Sequence, residues 1–165
     1  MKITIRLTLL AAAAVRGFWL WTVFFPSPEK VVLQKIARLA ATATFSADDS
    51  SLIRAGKAGN LVGFFADDAQ IILDAPGQAA RTLSGRDEIQ TAALGGFASL
   101  PQLKVQFLDV TVRIGADRQT AEATCTAKVN AGDSKDFGVQ EMRFQFRKTG
   151  SDWLITRAET VKTLS

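Results

Sequence analysis

Apolar residues recur along this chain in two periods, and the change from one to the other divides it. Behind Ser27-Pro28-Glu29, Val32, Ile36, Leu39 and Ala43 fall at steps of three and four, a single stripe on a helix. Ser can cap that helix, Pro suits its first turn, and Glu complements its positive end, so it is predicted from Pro28 to about Thr44. Asp48-Asp49-Ser50-Ser51 opens a second helix reaching Phe64–Phe65. Gly56, Gly59 and Gly63 weaken it by about 1 kcal/mol each. They imply close approach of a neighbouring helix rather than a phosphate cradle, which needs a strand–turn–helix setting. Ala69–Asp74 reads as a short buried strand, Pro76-Gly77 as a turn, and Ala79–Leu83 as the partner strand. Ser84-Gly85-Arg86-Asp87-Glu88-Ile89 begins a third helix with Ile89, Ala93 and Phe97 on one face, and Pro101 ends it.

Beyond Pro101 the period becomes two. Strands are predicted over Lys104–Ile114, Gln119–Val129, Gly138–Lys148 and Trp153–Lys162. Turn residues separate them at Gly115-Ala116-Asp117, Ala131-Gly132-Asp133 and Thr149-Gly150-Ser151-Asp152. Helices first and a meander last predict an α+β fold, a curved antiparallel sheet packed on three helices.

The first 26 residues follow another rule. Lys2 and Arg6 precede Leu7–Phe25, an apolar stretch carrying one charge, Arg16. At about 1.5 Å per residue it spans roughly 28 Å, close to the hydrocarbon thickness of a bilayer. Its Leu, Val and Phe residues roughly offset the central Arg, which costs about 2.5–3.5 kcal/mol on the insertion scale. A cleaved signal peptide, cut behind Ala12-Ala13-Ala14, is the rival reading; it would leave the apolar Gly17–Phe25 at the mature N-terminus. The division is thus a membrane anchor over 1–26 and one folded domain over 27–165. Positive charge on the short leading side predicts the N-terminus in the cytoplasm and the domain outside it, as in a bacterial envelope. Of the formal +4, the first thirty residues hold +3 (Lys2, Arg6, Arg16 and Lys30 against Glu29). The rest is nearly balanced, without the clustered cations that a nucleic-acid partner needs.

Composition narrows the chemistry. A single cysteine, Cys125, excludes an intrachain disulfide and any multi-cysteine metal site, and neither His nor Tyr occurs. No metal site or cofactor is expected. Carboxylates, Arg and Lys would have to carry any proton transfer. Cys125 alternates with Ala121, Ala123 and Ala127 on a predicted core face, where it reads as a small buried hydrophobe; small side chains there also leave room for a pocket.

Four stretches, in their order and spacing, resemble the nuclear transport factor 2-like superfamily. They are Leu61-Val62-Gly63-Phe64-Phe65-Ala66-Asp67-Asp68-Ala69, Gly85-Arg86-Asp87-Glu88-Ile89, Phe107-Leu108-Asp109-Val110 and Trp153-Leu154-Ile155. The resemblance covers roughly residues 28–164. It implies a cystatin-like cone: a curved sheet wrapping a long N-terminal helix, with a pocket at the open end. That superfamily holds ketosteroid isomerase-like and polyketide cyclase-like enzymes, an epoxide hydrolase, and many non-catalytic binding or dimerising domains. The lead into Phe24-Phe25-Pro26-Ser27-Pro28-Glu29 also looks like membrane-anchored bacterial members. The catalytic members commonly place His, Tyr and Asp in the pocket, and two of those residue types are missing here.

Strand parity selects candidates for the pocket. An even loop at Thr149–Asp152 sets Lys148 opposite Trp153, Phe146 opposite Ile155 and Phe144 opposite Arg157. Phe144, Phe146, Trp153, Arg157 and Glu159 then share the core side; the two charges either pair with each other, enter a polar pocket, or lie wet near the end of the strand. Glu141, Arg143, Gln145 and Arg147 form a solvated or dimer-forming face. Val105 and Phe107 alternate one step out of phase with Leu108, Val110, Val112 and Ile114, so a bulge is predicted near Phe107–Leu108 that leaves the face of Asp109 open. Two functions follow. One is a non-catalytic domain that binds a small apolar ligand or a protein partner, or dimerises. The other is an isomerase or hydrolase with Glu159 or Asp109 as base and Arg157 stabilising negative charge.

Overall fold

The computed structural model describes residues 26–74, 80–132 and 138–161. The apolar stretch at residues 7–25 and the Pro76-Gly77 turn lie outside the described residues. No helix among the described residues is long and apolar enough to cross a membrane.

Helix α1 (Pro28–Ala43) starts as its residues dictate: the Ser27 hydroxyl accepts a hydrogen bond from the Lys30 N–H at 3.4 Å, and Pro28 occupies the first turn. Its stripe Val32, Ile36 and Leu39 is buried to 5% exposure or less, worth roughly 1.5–3 kcal/mol per side chain. Thr44 closes the helix. Its hydroxyl donates to Ala40 O at 2.9 Å and accepts from the Val105 N–H at 3.1 Å, joining the helix end to the sheet. Helix α2 (Ser51–Val62) is capped by Ser50, whose hydroxyl accepts from the Ile53 N–H. It stops short of the predicted Phe64–Phe65, because Phe65 already opens the first strand.

The strands are β1 (Phe65–Leu73), β2 (Arg81–Ser84), β3 (Leu103–Ile114), β4 (Thr120–Ala131), β5 (Gly138–Thr149) and β6 (Asp152–Val161); helix α3 (Gly85–Ser99) lies between β2 and β3. They form one sheet in the order β2-β1-β6-β5-β4-β3. Four of its ladders are antiparallel as predicted, but β1 pairs with β6 in parallel. A parallel pair needs a long crossover, and here α3 and the whole β3–β5 meander supply it. Gly85, at φ +78°, makes the immediate corner from β2 into α3, a backbone setting that suits glycine. Arg86 then donates from Nε to Phe65 O at 2.8 Å and pairs with Asp67 at 2.8 Å, tying α3 to the start of β1.

The main core lies between α1 and the inner face of the sheet. Strand β4 contributes only small side chains there, Ala121, Ala123, Cys125 and Ala127, and the space is taken by Phe144, Phe146, Trp153 and Ile155. Phe107 meets Phe144 edge-on with ring centroids 5.4 Å apart. A smaller core of Phe45, Ala58 and Phe97 seats α2 and α3 beside the end of β3. Its rings Phe45 and Phe97 are 4.8 Å apart, and the Arg54 guanidinium lies 5.1 Å from the Phe45 ring. Arg54 also donates to the carbonyls of Asp49, Ala47 and Leu100, at 3.0, 3.1 and 2.9 Å.

The glycines of α2 do not serve a close helix approach. Ala58 makes the buried contact, while a Cβ added at Gly56 or Gly59 would meet nothing within 4 Å. Both positions therefore carry the helix penalty with no packing return. Gly56→Ala and Gly59→Ala should each raise stability by about 0.5–1 kcal/mol, additively, in urea unfolding. A loss of stability in either variant would show a contact that the fold does not reveal.

Candidate binding site

The β5–β6 hairpin begins as parity predicts, with Lys148 opposite Trp153 and Phe146 opposite Ile155. The register then shifts: Phe144 pairs with Ala158, Gln145 with Arg157 and Arg143 with Glu159. One extra residue in β6, at Thr156, makes the difference, since a bulge inverts every face beyond it. Arg157 and Glu159 consequently lie on the outer face rather than the core side, and Ala158, 2% exposed, takes the inner position. The expected pairing of the two charges is present, with Arg157 Nε 2.8 Å from Glu159 Oε2. Arg143 Nη1 approaches Glu159 Oε1 at 3.3 Å, and Arg143 Nε lies 3.9 Å from Glu122 Oε2, so a charged row crosses β4, β5 and β6.

Asp109 also belongs to the outer side. Leu108 pairs with Thr126 and Thr111 with Thr124, so Asp109 and Val110 together oppose Cys125. This is the predicted bulge, centred one to two residues later. Asp109 adopts φ 53°, is exposed, and borders a groove of about 390 Å³ with Thr124, Thr126, Glu141 and Arg143. A second outer groove, about 480 Å³, runs past Arg113, Thr120, Glu122, Gln145 and Arg147 and touches Phe146. Both are furrows among the side chains of one open sheet face. Phe144, Phe146 and Trp153 are each 2% exposed and are consumed by core packing. The six sequence candidates thus separate into three core aromatics and three outer charged groups.

A cavity of different character, about 310 Å³, lies between the helices and the β1–β2 hairpin. Leu61 of α2, Ile71 of β1, Leu83 of β2 and Ile89 of α3 line it, and Ala93 and Gly96 on α3 are small enough to leave it open. Among the described residues its wall includes no carboxylate, and the one charged side chain is Arg81 of β2. No local motif announces this cavity, because five elements contribute to it. The available signal was the run of small residues on the inner side of α3, Ala92, Ala93 and Gly96. Such a wall can bind, orient and dehydrate an apolar molecule, but it offers no base to take up a proton.

Burial pushes the Cys125 thiol up to about 11, so it stays protonated at neutral pH. Asp68 is held below the usual carboxylate range, first by its hydrogen bonds from Arg147, at 2.8 and 3.3 Å. For Asp152 burial opposes ionisation. The Lys35 ammonium at 2.6 Å, the Trp153 N–H and the nearby Arg38 charge outweigh it and leave the carboxyl lowered.

The fold recurs in solved structures. A nuclear transport factor 2-like protein with a cystatin-like fold from Novosphingobium aromaticivorans superposes with a TM-score of 0.61 at 24% identity, over 92% of this chain and 88% of its own. A nuclear transport factor 2-like protein of unknown function from Pseudomonas putida gives a TM-score of 0.65 at 15% identity, over 83% and 87%. The chain has the nuclear transport factor 2-like fold. A candidate scytalone dehydratase from Novosphingobium aromaticivorans shares the fold too, with a TM-score of 0.60 at 12% identity, over 82% and 83%. No family model and no curated protein matches the chain. At these identities the nuclear transport factor 2-like likeness extends to the fold and not to an activity.

Two measurements check the electrostatics of this domain. Cys125 should resist iodoacetamide at pH 8 in the folded protein, where thiolate is on the order of a thousandth of the thiol, and react within minutes in denaturant; rapid labelling of the folded form would contradict its burial. Asp68 and Asp152 have lowered folded-state values, so their stabilisation is complete above the unfolded carboxylate value of about 3.9 and is lost as pH falls below it. Asp152→Asn should flatten the fall in stability between about pH 4 and 2, by less than ~1 kcal/mol because the Asp152 side chain is 56% exposed.

Proposed function

We propose that this chain is a membrane-tethered binding domain, displayed outside the cytoplasm, whose apolar cavity takes up a small apolar ligand. The observation that carries this reading is the cavity wall: apolar or glycine at every lining position except Arg81, with a volume of about 310 Å³. Sites for small molecules are concave, mostly apolar and furnished with few polar groups. The tether rests on the sequence alone, on residues 7–25 behind Lys2 and Arg6. Helix α1 begins at Pro28, directly after that stretch, so the domain would stand close to the bilayer surface.

The proton-transfer alternative loses the groups on which it rested. Neither Glu159 nor Asp109 lines the cavity, and Arg157 is engaged with Glu159 on the outer face. Cys125 is protonated and no His is available to activate it. Binding without chemistry is the reading that this placement of side chains favours.

Filling the cavity tests the proposal. A Cβ at Gly96 would meet nothing within 4 Å, so Gly96→Leu should be accommodated and should occupy the site. Saturation-transfer NMR with indole, a small neutral probe, should give a signal with the native chain that falls at least about tenfold in Gly96→Leu, while the melting temperature holds or rises. Equal binding by both proteins, or none by the native chain, would count against the cavity as a ligand site.

A further inference from the structure

We infer that the cavity selects an apolar molecule bearing a carboxylate, with Arg81 receiving the charged end; this rests on the proposal that the cavity is a ligand site. Arg81 and Leu83 stand two apart on β2, so their side chains leave the same face of the strand. Leu83 is 6% exposed in the cavity wall, and Arg81, one pleat farther out, is exposed at its mouth. Across the β1–β2 ladder Arg81 is paired with Leu73, which is itself 40% exposed. The cationic group is therefore flanked by an apolar side chain and not by an acid. It makes no ion pair with any described residue, whereas Arg86, at the start of α3, is held by Asp67.

An apolar hollow edged by a cation that pairs with no described residue is complementary to a molecule of opposite design: a hydrocarbon body and a single anionic end. The planar guanidinium fork matches a carboxylate with two parallel hydrogen bonds. Apolar neighbours strengthen those bonds by displacing competing water. An amine-bearing ligand would meet repulsion at the same point, and a neutral one would forgo the contact. The volume of about 310 Å³ lies at the small end of ligand sites, about 300–1,000 Å³. It fits a compact acid with a short chain or a single ring rather than a long acyl chain.

Hexanoate and its uncharged isostere hexanamide separate this inference from the one beneath it. Both are titrated by saturation-transfer NMR against the full chain and against Arg81→Gln, at low salt and neutral pH. Hexanoate should bind the native chain about tenfold tighter than hexanamide. That preference should vanish in Arg81→Gln, the loss falling mainly on hexanoate. Equal affinity of the native chain for the two probes would overturn the carboxylate preference and leave the cavity reading standing, as would a preference that survives in Arg81→Gln for the role of Arg81. Failure of both probes to bind the native chain would overturn the cavity reading itself. Gly96→Leu serves as the control that binding occurs in the cavity, since it should abolish both signals.

Discussion

The sheet must bend far enough to close over helix α1, and that requirement governs everything else in this molecule. A regular ladder twists but does not fold over a helix; extra residues supply the bend. They occur at Asp109–Val110 in β3, between Phe65 and Gln70 in β1, and at Thr156 in β6. Each bends its strand and also resets which side chains face inward. Because of the shift in β6, Ala158 packs inside while Arg157 and Glu159 face outward. A regular strand would have driven two charges into an apolar core, where each would cost several kcal/mol unless fully paired.

Packing inside the bend is a matter of volume. The alanines and Cys125 of β4 leave space that Phe107, Phe144 and Phe146 fill from the neighbouring strands, so the sheet's own inner wall is solid. The open space lies to one side, where α3 faces the β1–β2 hairpin with alanines and a glycine. The aromatic side chains that look from sequence like the furniture of a pocket are instead part of the filled core. The charged row Glu122–Arg143–Glu159–Arg157 belongs to the opposite surface, half-buried and held by its own ion pairs.

Much of this was legible in the residues, and the failures share a cause. Helix starts at Ser27 and Ser50 and the four late strands follow from local signals, a cap residue or an alternation, and were placed to within one or two residues at most ends. The order of motifs alone implies the cone through the family resemblance. The end of α2 was misjudged because Val62, Phe64 and Phe65 continue a helical spacing although the chain has already turned at Gly63. The parallel β1–β6 pair joins segments some ninety residues apart, and no local pattern encodes it. The bulge in β6 did leave a trace: Trp153, Ile155 and Ala158 break parity by one, as do Phe107 and Leu108 in β3, where the same sign was read correctly. The cavity had no such trace, since each of its five contributing elements supplies only a few ordinary side chains.

The bare glycines of the helix pair have a consequence for motion. Gly56 and Gly59 in α2, and Gly95 and Gly96 in α3, face open space and anchor nothing. Helical turns built around such residues hold together less firmly than strands locked on both sides, and thermal fluctuation opens the weakest cooperative unit first. Helix α3, with Leu61 of α2, lines one side of the hollow, and β1, β2 and the start of β3 line the other. Local opening is therefore expected to begin in this helix pair, leaving the sheet and the core beneath α1 as the last part of the molecule to come apart.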